Sequence, residues 1–421
     1  MAFNVTYYLM GEQKMALINL NPKYYTEDEI EIITPDDDGQ YFFAYYDLRA
    51  TDSKGQNHLC HRATFMDRDN VAEDEIELGI LKDKKFLPFA KTTAWNFQQG
   101  ALLQYSRDND DIVYYNVRTK DDYATAIHNL KTGEVRYTDR AAATISPDGK
   151  YGLGVNFSRI FDYRPGYGYP GFKDKFYDVG CPKDDGVFLI DMQTGKSKLL
   201  VNYEELLKIS GYEPEDKILV NHITFSPNSD RYNILLRRFK RPGISAWTTT
   251  LIVGDLNGNV KPLLQNNYFS HYWWANNDEI IAHMQLGGTP GSFNGDMGLY
   301  SINVDGTFNK YQKSGVDLGP LNFCIDKKDI HCSLAPDGKY IMGDGYPREF
   351  PDYRPIFAIN PKTGECRKLM DVYSEPLEND DSDIRCDLHM RFTRDGKYIT
   401  FDTIHNGKRQ IARFPYKDYK F

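Results

Sequence analysis

The chain has 421 residues, a net charge of −9 and a hydrophobic fraction of 41%. This composition excludes global disorder and supplies enough apolar side chains for a sizeable core. The acidic balance argues against nucleic acid as a partner, because a protein that binds the phosphate backbone needs a basic surface. No apolar run approaches the roughly 20 residues that a helix needs to span a bilayer, so no membrane partner is expected.

The cysteines and the N-terminus indicate a cytoplasmic protein. The six cysteines are scattered without C-x-x-C spacing, which is typical of reduced thiols rather than a disulfide framework. The N-terminal residues lack the basic and then apolar pattern of a secretory signal peptide.

A short turn phrase recurs seven times along the chain. It consists of a small residue, a polar residue or Pro, then Asp or Asn and often Gly, followed by a β-rich run. The copies begin at Thr34, Ser106, Ser146, Ser226, Ala275, Ala335 and Thr393. Pro and Asp-Gly favour tight turns between strands. A second turn phrase, such as Thr132-Gly133 or Thr194-Gly195, predicts another hairpin after most copies.

Two hairpins per unit predict four antiparallel strands per unit, and 421/7 gives about 60 residues for each. Radially repeated four-stranded sheets are the blades of a β-propeller. We therefore predict an all-β, seven-bladed β-propeller that spans residues 1–421 as a single domain, with one short helix near 203–209. The ring needs closure because open edge strands are exposed to wrong pairing. We expect residues 14–20 to pair with the strand at 409–414.

The two faces of this propeller are predicted to differ. The turn phrases are short, whereas the connections after the second strands are long, and long loops on a rigid scaffold carry binding residues. The candidates on these loops are Arg159, Arg164 and Tyr167 in the third blade, residues 49–58 in the first, and Arg237, Arg238 and Arg241 in the fourth. Gln98 and Gln99, just before the second inner strand, could bind a ligand or serve the structure.

Histidine recurs at one register position of the predicted innermost strands. Four residues before the turn, four consecutive blades have His222, His271, His331 and His389, and the other three have Ile30, Leu102 and Ala142. Asp329 and Asp387 lie two residues before a histidine, and residues two apart on a strand share a face. Imidazoles and carboxylates that converge on the axial channel match the ligands of a divalent transition metal. The alternative is that each histidine bonds a neighbouring backbone.

These inner-strand motifs resemble those of oligogalacturonate lyases. The similarity lies in His222-Ile223-Thr224-Phe225, Ser270-His271-Tyr272-Trp273, His331 with Gly343-Asp344-Gly345, and Asp387-Leu388-His389. Members of that family are seven-bladed propellers that cleave uronate disaccharides by metal-assisted β-elimination, usually with manganese. The resemblance covers the fourth to seventh blades.

The resemblance implies that His222 acts near the scissile bond and that His271 binds the metal. A pair of histidines in the last blade of the family also binds metal, and here Asp387 and His389 occupy those positions. The family's last-blade glutamine ligand has no counterpart, because Ile384 or Arg385 falls there. An arginine of the family near the third blade is replaced by Asp185-Gly186.

The expected function is β-elimination on small uronate-containing oligosaccharides, with His222 as the base. The expected metal ligands are His271, His331, Asp387 and His389. We expect Arg164, Arg238 and Tyr167 to hold the acidic sugar, because positive charge stabilises the carbanion formed beside its carboxylate. Two alternatives stay open: a non-catalytic propeller that binds a carbohydrate or a protein, and a glycoside hydrolase that uses two carboxylates such as Asp329 and Asp387.

Overall fold

The structure, a computed structural model, describes residues 7–10, 13–239, 247–289, 292, 294–311, 329–346, 353–374 and 384–421. Within these residues it is a seven-bladed β-propeller of antiparallel four-stranded sheets, one of which has a fifth strand, with two α-helices. The predicted fold class is confirmed. None of the helices in the described ranges has the length and apolar character needed to cross a membrane.

Four strands precede the first blade in the chain. They are β1 (Tyr7–Met10), β2 (Gln13–Ala16), β3 (Ile18–Leu20) and β4 (Glu31–Ile32). The strands β1 and β2 pair with each other, while β3 and β4 join later blades.

In every blade the strands follow one another from the axis outward. The first blade is β5 (Gln40–Phe42), β6 (His58–Ala63), β7 (Ile76–Lys82) and β8 (Lys85–Thr92). The second is β9 (Gln104–Tyr105), β10 (Ile112–Arg118), β11 (Tyr123–Asn129) and β12 (Val135–Tyr137). The third is β13 (Ala142–Ile145), β14 (Tyr151–Gly154), β15 (Gly186–Asp191) and β16 (Lys196–Asn202).

The remaining blades have the same order. The fourth is β17 (Ile218–Phe225), β18 (Arg231–Arg238), β19 (Thr248–Asp255) and β20 (Val260–Asn267). The fifth is β21 (Phe269–Trp274), β22 (Glu279–Leu286), β23 (Asp296–Asn303) and β24 (Phe308–Lys310). The sixth is β25 (Ile330–Leu334), β26 (Ile341–Gly345), β27 (Tyr353–Ile359) and β28 (Cys366–Tyr373), and the seventh is β29 (Arg391–Phe392), β30 (Tyr398–Thr403) and β31 (Gln410–Pro415).

The ring is closed by an N-terminal strand, but not by the one predicted. The strand β4 pairs with β31 and becomes the outermost strand of the seventh blade. Residues 14–20 were expected there, and this expectation is wrong, because Ile18–Leu20 pairs with β28 as a fifth strand of the sixth blade. The N-terminal segment therefore covers two blade edges instead of one.

The recurring turn joins the first and second strands of a blade. In the third blade the Ser146 hydroxyl donates to Asp148 at 2.7 Å and accepts from the Tyr151 backbone N–H at 3.0 Å. Gly149 follows with a φ of +70°, a left-handed conformation that glycine adopts without strain. The small residue and the Asp-Gly pair are thus both required by the turn.

The first blade was assigned to the wrong copy of this phrase. The phrase at Thr34 follows β4, which belongs to the seventh blade, so Ile30 does not lie on an innermost strand. The turn that joins β5 to β6 begins at Asp52, whose backbone bonds match those of Ser146, and ends with Gly55 at a φ of +66°. Residues 49–58 consequently lie on the face of the short turns, and Leu48 is the residue four positions before the turn.

Two helices interrupt the blades. The helix α2 (Tyr203–Ser210) confirms the predicted helical segment; its N-cap Asn202 and Glu205 form a capping box. The helix α1 (Phe157–Tyr163), in the long loop of the third blade, was not predicted, and its N-cap is Asn156. Five cysteines are free thiols, at positions 60, 181, 332, 366 and 386; Cys324 lies outside the described residues.

Candidate active site

The four register histidines converge on the axis of the propeller, where all are buried. The ring centroids of His271 and His331 are 4.2 Å apart, and those of His331 and His389 are 4.3 Å apart. His222 stands further off, 6.2 Å from His271. Because the four histidines share one register position on adjacent inner strands, three of the rings form a cluster, and the ring of His222 lies beside it.

Each of the three clustered imidazoles has its Nδ1 held by an oxygen. The Nδ1 of His271 lies 2.9 Å from Asp329 Oδ2, and that of His331 lies 2.8 Å from Asp344 Oδ2. The Nδ1 of His389 lies 2.8 Å from the carbonyl oxygen of Ala44. Because a carboxylate or a carbonyl only accepts, each Nδ1 carries a proton, and in the neutral ring it is Nε2 that keeps the lone pair. Metal-bound histidines are held in this way in proteins.

The Nε2 of His389 is buried and has no hydrogen-bond partner. A buried acceptor without a partner is costly unless a ligand or an ion completes it. His331, Asp387 and His389 each offer one ligand atom, and these atoms all lie within 4.8 Å of one another. The residues at the axis therefore fit a divalent transition metal.

Burial and neighbouring charge set the protonation of the cluster. Burial, partly offset by Asp329, lowers the pKa of His271 to about 4. Burial also holds the pKa of His389 well below its usual value. For His331 burial is outweighed by the carboxylates of Asp344, Asp387 and Asp329 together, so the pKa of that ring is raised. Two of the three rings are thus neutral at pH 7, as metal ligation requires.

Asp387 is tied to two arginines. Its Oδ1 accepts a hydrogen bond from Arg354 at 2.8 Å, and its Oδ2 lies 3.0 Å from Arg385. Arg354 is buried, with 4% of its side chain exposed, whereas 19% of the Arg385 side chain is exposed. Although Asp387 itself is buried, the charges of Arg385 and Arg354 outweigh that burial and lower its pKa. Asp387 can reach a metal only through an oxygen that a guanidinium already contacts.

His222 has different neighbours. Its Nε2 lies 3.1 Å from the Tyr45 hydroxyl, and its Nδ1 lies 3.3 Å from the Gln99 amide nitrogen. The ring of Tyr167 packs edge-on against it, with centroids 5.5 Å apart. Burial, together with the charges of Arg237 and Arg164, holds the pKa of His222 well below its usual value. The ring is therefore neutral at pH 7 and able to accept a proton.

Two of the predicted loop residues lie beside His222. The guanidinium of Arg164 stacks on the ring of Tyr167, 3.7 Å from its centroid. Arg164 also donates to the side-chain oxygen of Asn221. This brings Arg164, Tyr167 and His222 into one wall of the channel.

Adjacent arginines at the end of β18 point in opposite directions, as neighbours on a strand do. Arg238 faces Asp216 at 3.9 Å and the ring of Tyr212. Arg237 donates to Thr249 at 3.2 Å and lies close enough to His222 to lower its pKa. Both arginines were candidates and Arg238 was expected to hold the sugar, but the guanidinium next to His222 is that of Arg237. Arg241 lies outside the described residues.

Arg159, a predicted substrate contact, is buried within the third-blade loop and bonded to residues of the protein itself. Its side chain is fully buried and forms an ion pair with Asp174 at 3.0 Å. It also donates to the carbonyl oxygens of Ile218 and Gly180. These contacts anchor α1 against β17, which positions Arg164 at the end of that helix.

Gln98 and Gln99, which precede the second blade, contact the site through Arg385 and His222. Gln98 donates to the backbone oxygen of Arg385 at 3.0 Å. The Arg385 guanidinium contacts the Tyr167 hydroxyl at 3.2 Å and lies over the ring of Tyr346. Gln98 is thus a positioning contact for Arg385, and Gln99 contacts His222 directly.

The first blade contributes residues that sequence reasoning missed. Tyr45 and Tyr46 follow β5 into the channel, where Tyr46 packs against His331 with centroids 5.6 Å apart. Ala44 presents its carbonyl to His389 from a φ of 91°, while its N–H donates to Asp402 at 2.8 Å. The run Phe43-Ala44-Tyr45-Tyr46 could have signalled this role, had the first turn been assigned correctly.

Solved structures share this architecture at low sequence identity. An oligogalacturonate lyase in complex with manganese aligns with a TM-score of 0.62 and 14% identity over 92% of this chain and 93% of that chain. An oligogalacturonate lyase from Vibrio parahaemolyticus aligns with a TM-score of 0.60 and 13% identity over 93% and 98%, respectively. The tricorn protease gives a TM-score of 0.50 and 13% identity over 96% of this chain and 34% of that chain.

The sequence itself matches no family model and no curated protein. The resemblance to oligogalacturonate lyases that the inner-strand motifs indicated is thus confirmed at the level of the fold.

Proposed function

We propose that the protein is a metal-dependent lyase that cleaves small uronate-containing oligosaccharides by β-elimination, with manganese as its ion. The observation that carries the proposal is the set of three imidazoles whose Nδ1 atoms are bonded to oxygens, which leaves their Nε2 atoms as the nitrogens for a metal. Manganese is chosen because one structurally similar lyase was solved with it.

The ion would be held by His331, His389 and Asp387, whose ligand atoms lie within 4.8 Å of one another. His271, whose ring lies 4.2 Å from that of His331, would move closer to join them as the third imidazole. A divalent ion supplies positive charge that stabilises the carbanion formed beside a carboxylate. Asp387 would join the ligands only when Arg385 leaves its Oδ2, because a guanidinium now lies 3.0 Å from that oxygen. Arg385 is thus the counter-ion of Asp387 and would compete with the metal for its Oδ2.

His222 is proposed as the base. It would take the proton from the carbon next to the uronate carboxylate; the electron pair of that C–H bond forms the new double bond, and the glycosidic oxygen on the β carbon leaves. A neutral imidazole in a buried site can make this transfer. The nearby positive charges of Arg237 and Arg164 lower its pKa, and an anionic substrate bound there would offset them.

Arg164 and Arg385 are proposed to bind the substrate carboxylates. Both lie against Tyr167, Arg164 through its ring face and Arg385 through its hydroxyl. Tyr167 would in turn face the sugar between them. Arg238 is proposed to support this wall through Asp216, and Arg237 is proposed to act next to His222.

The carboxylates of the site favour the lyase over a glycoside hydrolase. A hydrolase needs one carboxylic acid that keeps its proton near neutral pH. The contacts of Asp329 with His271, including the hydrogen bond from its ring, and with His283 outweigh burial and lower the pKa of Asp329. The pKa of Asp387 is lowered as well, by Arg385 and Arg354. Both candidate carboxyls are therefore ionised at neutral pH.

An ultraviolet assay tests the proposal. Metal-free protein, reloaded with Mn²⁺, would be incubated with di- and trigalacturonate and, as a control, with neutral galactose oligomers. Elimination leaves an unsaturated uronate that absorbs in the ultraviolet. We expect absorbance from the acidic substrates alone, and only with metal. New reducing ends without absorbance would indicate hydrolysis. No reaction together with stoichiometric substrate binding would indicate a binding protein.

A further inference from the structure

Asp344 contacts two blades at once. It lies on β26 and its side chain is fully buried. Its Oδ2 accepts from His331 Nδ1 at 2.8 Å, within the sixth blade. Its Oδ1 accepts from the backbone N–H of Met390 at 3.0 Å, in the seventh blade. The Asp344 carboxylate therefore links the ring of His331 to the backbone next to His389.

The Met390 contact acts on a strained backbone. His389, the preceding residue, has a φ of 43°, a left-handed conformation that is unfavourable for residues other than glycine. Such residues persist only where the surroundings hold them in place. The bond from Met390 to Asp344 lies one residue away, and the ring itself is fixed at Nδ1 by Ala44. Together these two contacts direct the His389 Nε2 into the channel.

We propose that Asp344 is a positioning residue that orients two metal ligands, the ring tautomer of His331 and the backbone of His389. The inference rests on the metal site of the proposed function. Asp329 offers a matched comparison, because it bonds the ring of one clustered histidine, His271, at 2.9 Å. Its other oxygen accepts a hydrogen bond from the backbone N–H of Ile330 at 2.9 Å and lies 3.7 Å from His283, which is outside the cluster. Ile330 begins the regular strand β25, so this bond, unlike that of Asp344 to Met390, does not hold a left-handed histidine.

The affinity for Mn²⁺ alone, measured by electron paramagnetic resonance of the free ion, tests this role without any substrate. Loss of a hydrogen-bonded partner of a metal ligand typically weakens binding by about 10–100-fold. We expect Asp329→Ala to fall in this range and Asp344→Ala to weaken binding more. Equal losses for the two variants would overturn the inference.

A double-mutant cycle separates the two contacts. His331→Ala removes the ring that Asp344 Oδ2 holds, while the bond to Met390 remains. Adding Asp344→Ala to His331→Ala should weaken Mn²⁺ binding further, by several-fold, because the His389 backbone is released. No further loss would show that Asp344 acts through His331 alone, and would overturn the double role.

Asp344→Asn keeps the test valid where the alanine variant does not fold. Asparagine preserves the volume and an acceptor for Met390, but presents an amide N–H to His331. Nitrogen-15 resonances of His331 should then change from the Nδ1–H to the Nε2–H tautomer, with about 10–100-fold weaker Mn²⁺ binding. An unchanged tautomer would contradict the inference. Intact Mn²⁺ binding without lyase activity would contradict only the proposed function, whereas a wild-type protein that binds no Mn²⁺ would overturn both.

Discussion

Compared with the fourth blade, the fifth to seventh blades hold their channel histidines by other means. His271, His331 and His389 each donate Nδ1–H to a fixed oxygen. His222 contacts a carboxamide and a phenol hydroxyl instead, at 3.3 and 3.1 Å. The same register position on consecutive strands thus produces two kinds of imidazole.

The difference lies in what surrounds each ring. Where an oxygen holds Nδ1–H, the nitrogen left for a ligand is Nε2, which suits an ion. An amide and a hydroxyl can exchange donor and acceptor roles, which suits a ring that gains and loses a proton. We therefore assign metal binding to the fifth to seventh blades and proton transfer to the fourth.

The largest effect is expected from His389→Ala. The variant removes a ligand whose Nε2 is otherwise unsatisfied, so bound Mn²⁺ and activity should be lost together. Metal analysis and the ultraviolet assay measure both. His128→Ala is the matched control, because this buried histidine of the second blade contacts Tyr115 and lies outside the cluster. Retention of stoichiometric metal in His389→Ala would remove this residue from the ligand set.

The second-largest effect is expected from His222→Ala, on the other side of the channel. His222→Ala should keep its metal and its fold, and lose turnover by roughly 10²–10⁴-fold, the usual contribution of a general base. KM should change little by comparison. Steady-state kinetics with metal-loaded protein measures the split. Loss of metal from this variant would abolish the distinction between the two sides.

Arg385→Gln is expected to act in opposite directions on substrate and metal. Loss of a charged contact to the substrate should raise KM by about 10–100-fold. The affinity for Mn²⁺ should stay the same or increase, since Asp387 Oδ2 loses the guanidinium 3.0 Å away. Arg136→Gln, on an exposed outer strand, is the control. Weaker Mn²⁺ binding would exclude competition between Arg385 and the metal for Asp387.

Histidines outside the channel give the smallest effect, one of stability. Burial lowers the pKa of His58 and of His61 to about 3 each. The unfolded chain binds these protons at higher pH than the folded protein does. The contribution of the two neutral rings to the free energy of unfolding is therefore complete above about pH 6.5 and is lost as the pH falls towards 3. Each ring contributes a slope of about 1.4 kcal/mol per pH unit. Denaturant titrations between pH 7 and 5 should show a smaller slope for His58→Gln; an unchanged slope would contradict this.

The sequence predicted the blades because their turns need particular residues. Small residues and Asp-Gly pairs define the turn at Ser146 and its equivalents, so the strands between them follow. The first blade was misassigned because Thr34-Pro35-Asp36 has the same chemistry as a blade turn, although it follows the strand β4 that closes the ring. Pairing between distant strands decides which copy belongs to which blade, and local patterns do not contain that information.

The candidate site was predictable in part for the same reason. Register alone brought the four histidines together, since equivalent positions of innermost strands face one axis. The oxygens that hold them could not be predicted: Asp329 precedes His331 by two residues, yet it bonds His271 of the neighbouring blade. Likewise, the choice between Arg237 and Arg238 depends on which residue of β18 faces inward, and a one-residue shift reverses it.

Pulsed electron paramagnetic resonance of the Mn²⁺-loaded protein tests the central claim most directly, because it counts the nitrogen nuclei bound to the ion. We predict three histidine nitrogens in the wild-type protein, three in His222→Ala and two in His271→Ala when that weakened site is loaded with excess Mn²⁺. Coupling to a fourth nitrogen that disappears in His222→Ala would place all four register histidines on the metal and contradict the separation of metal binding from proton transfer.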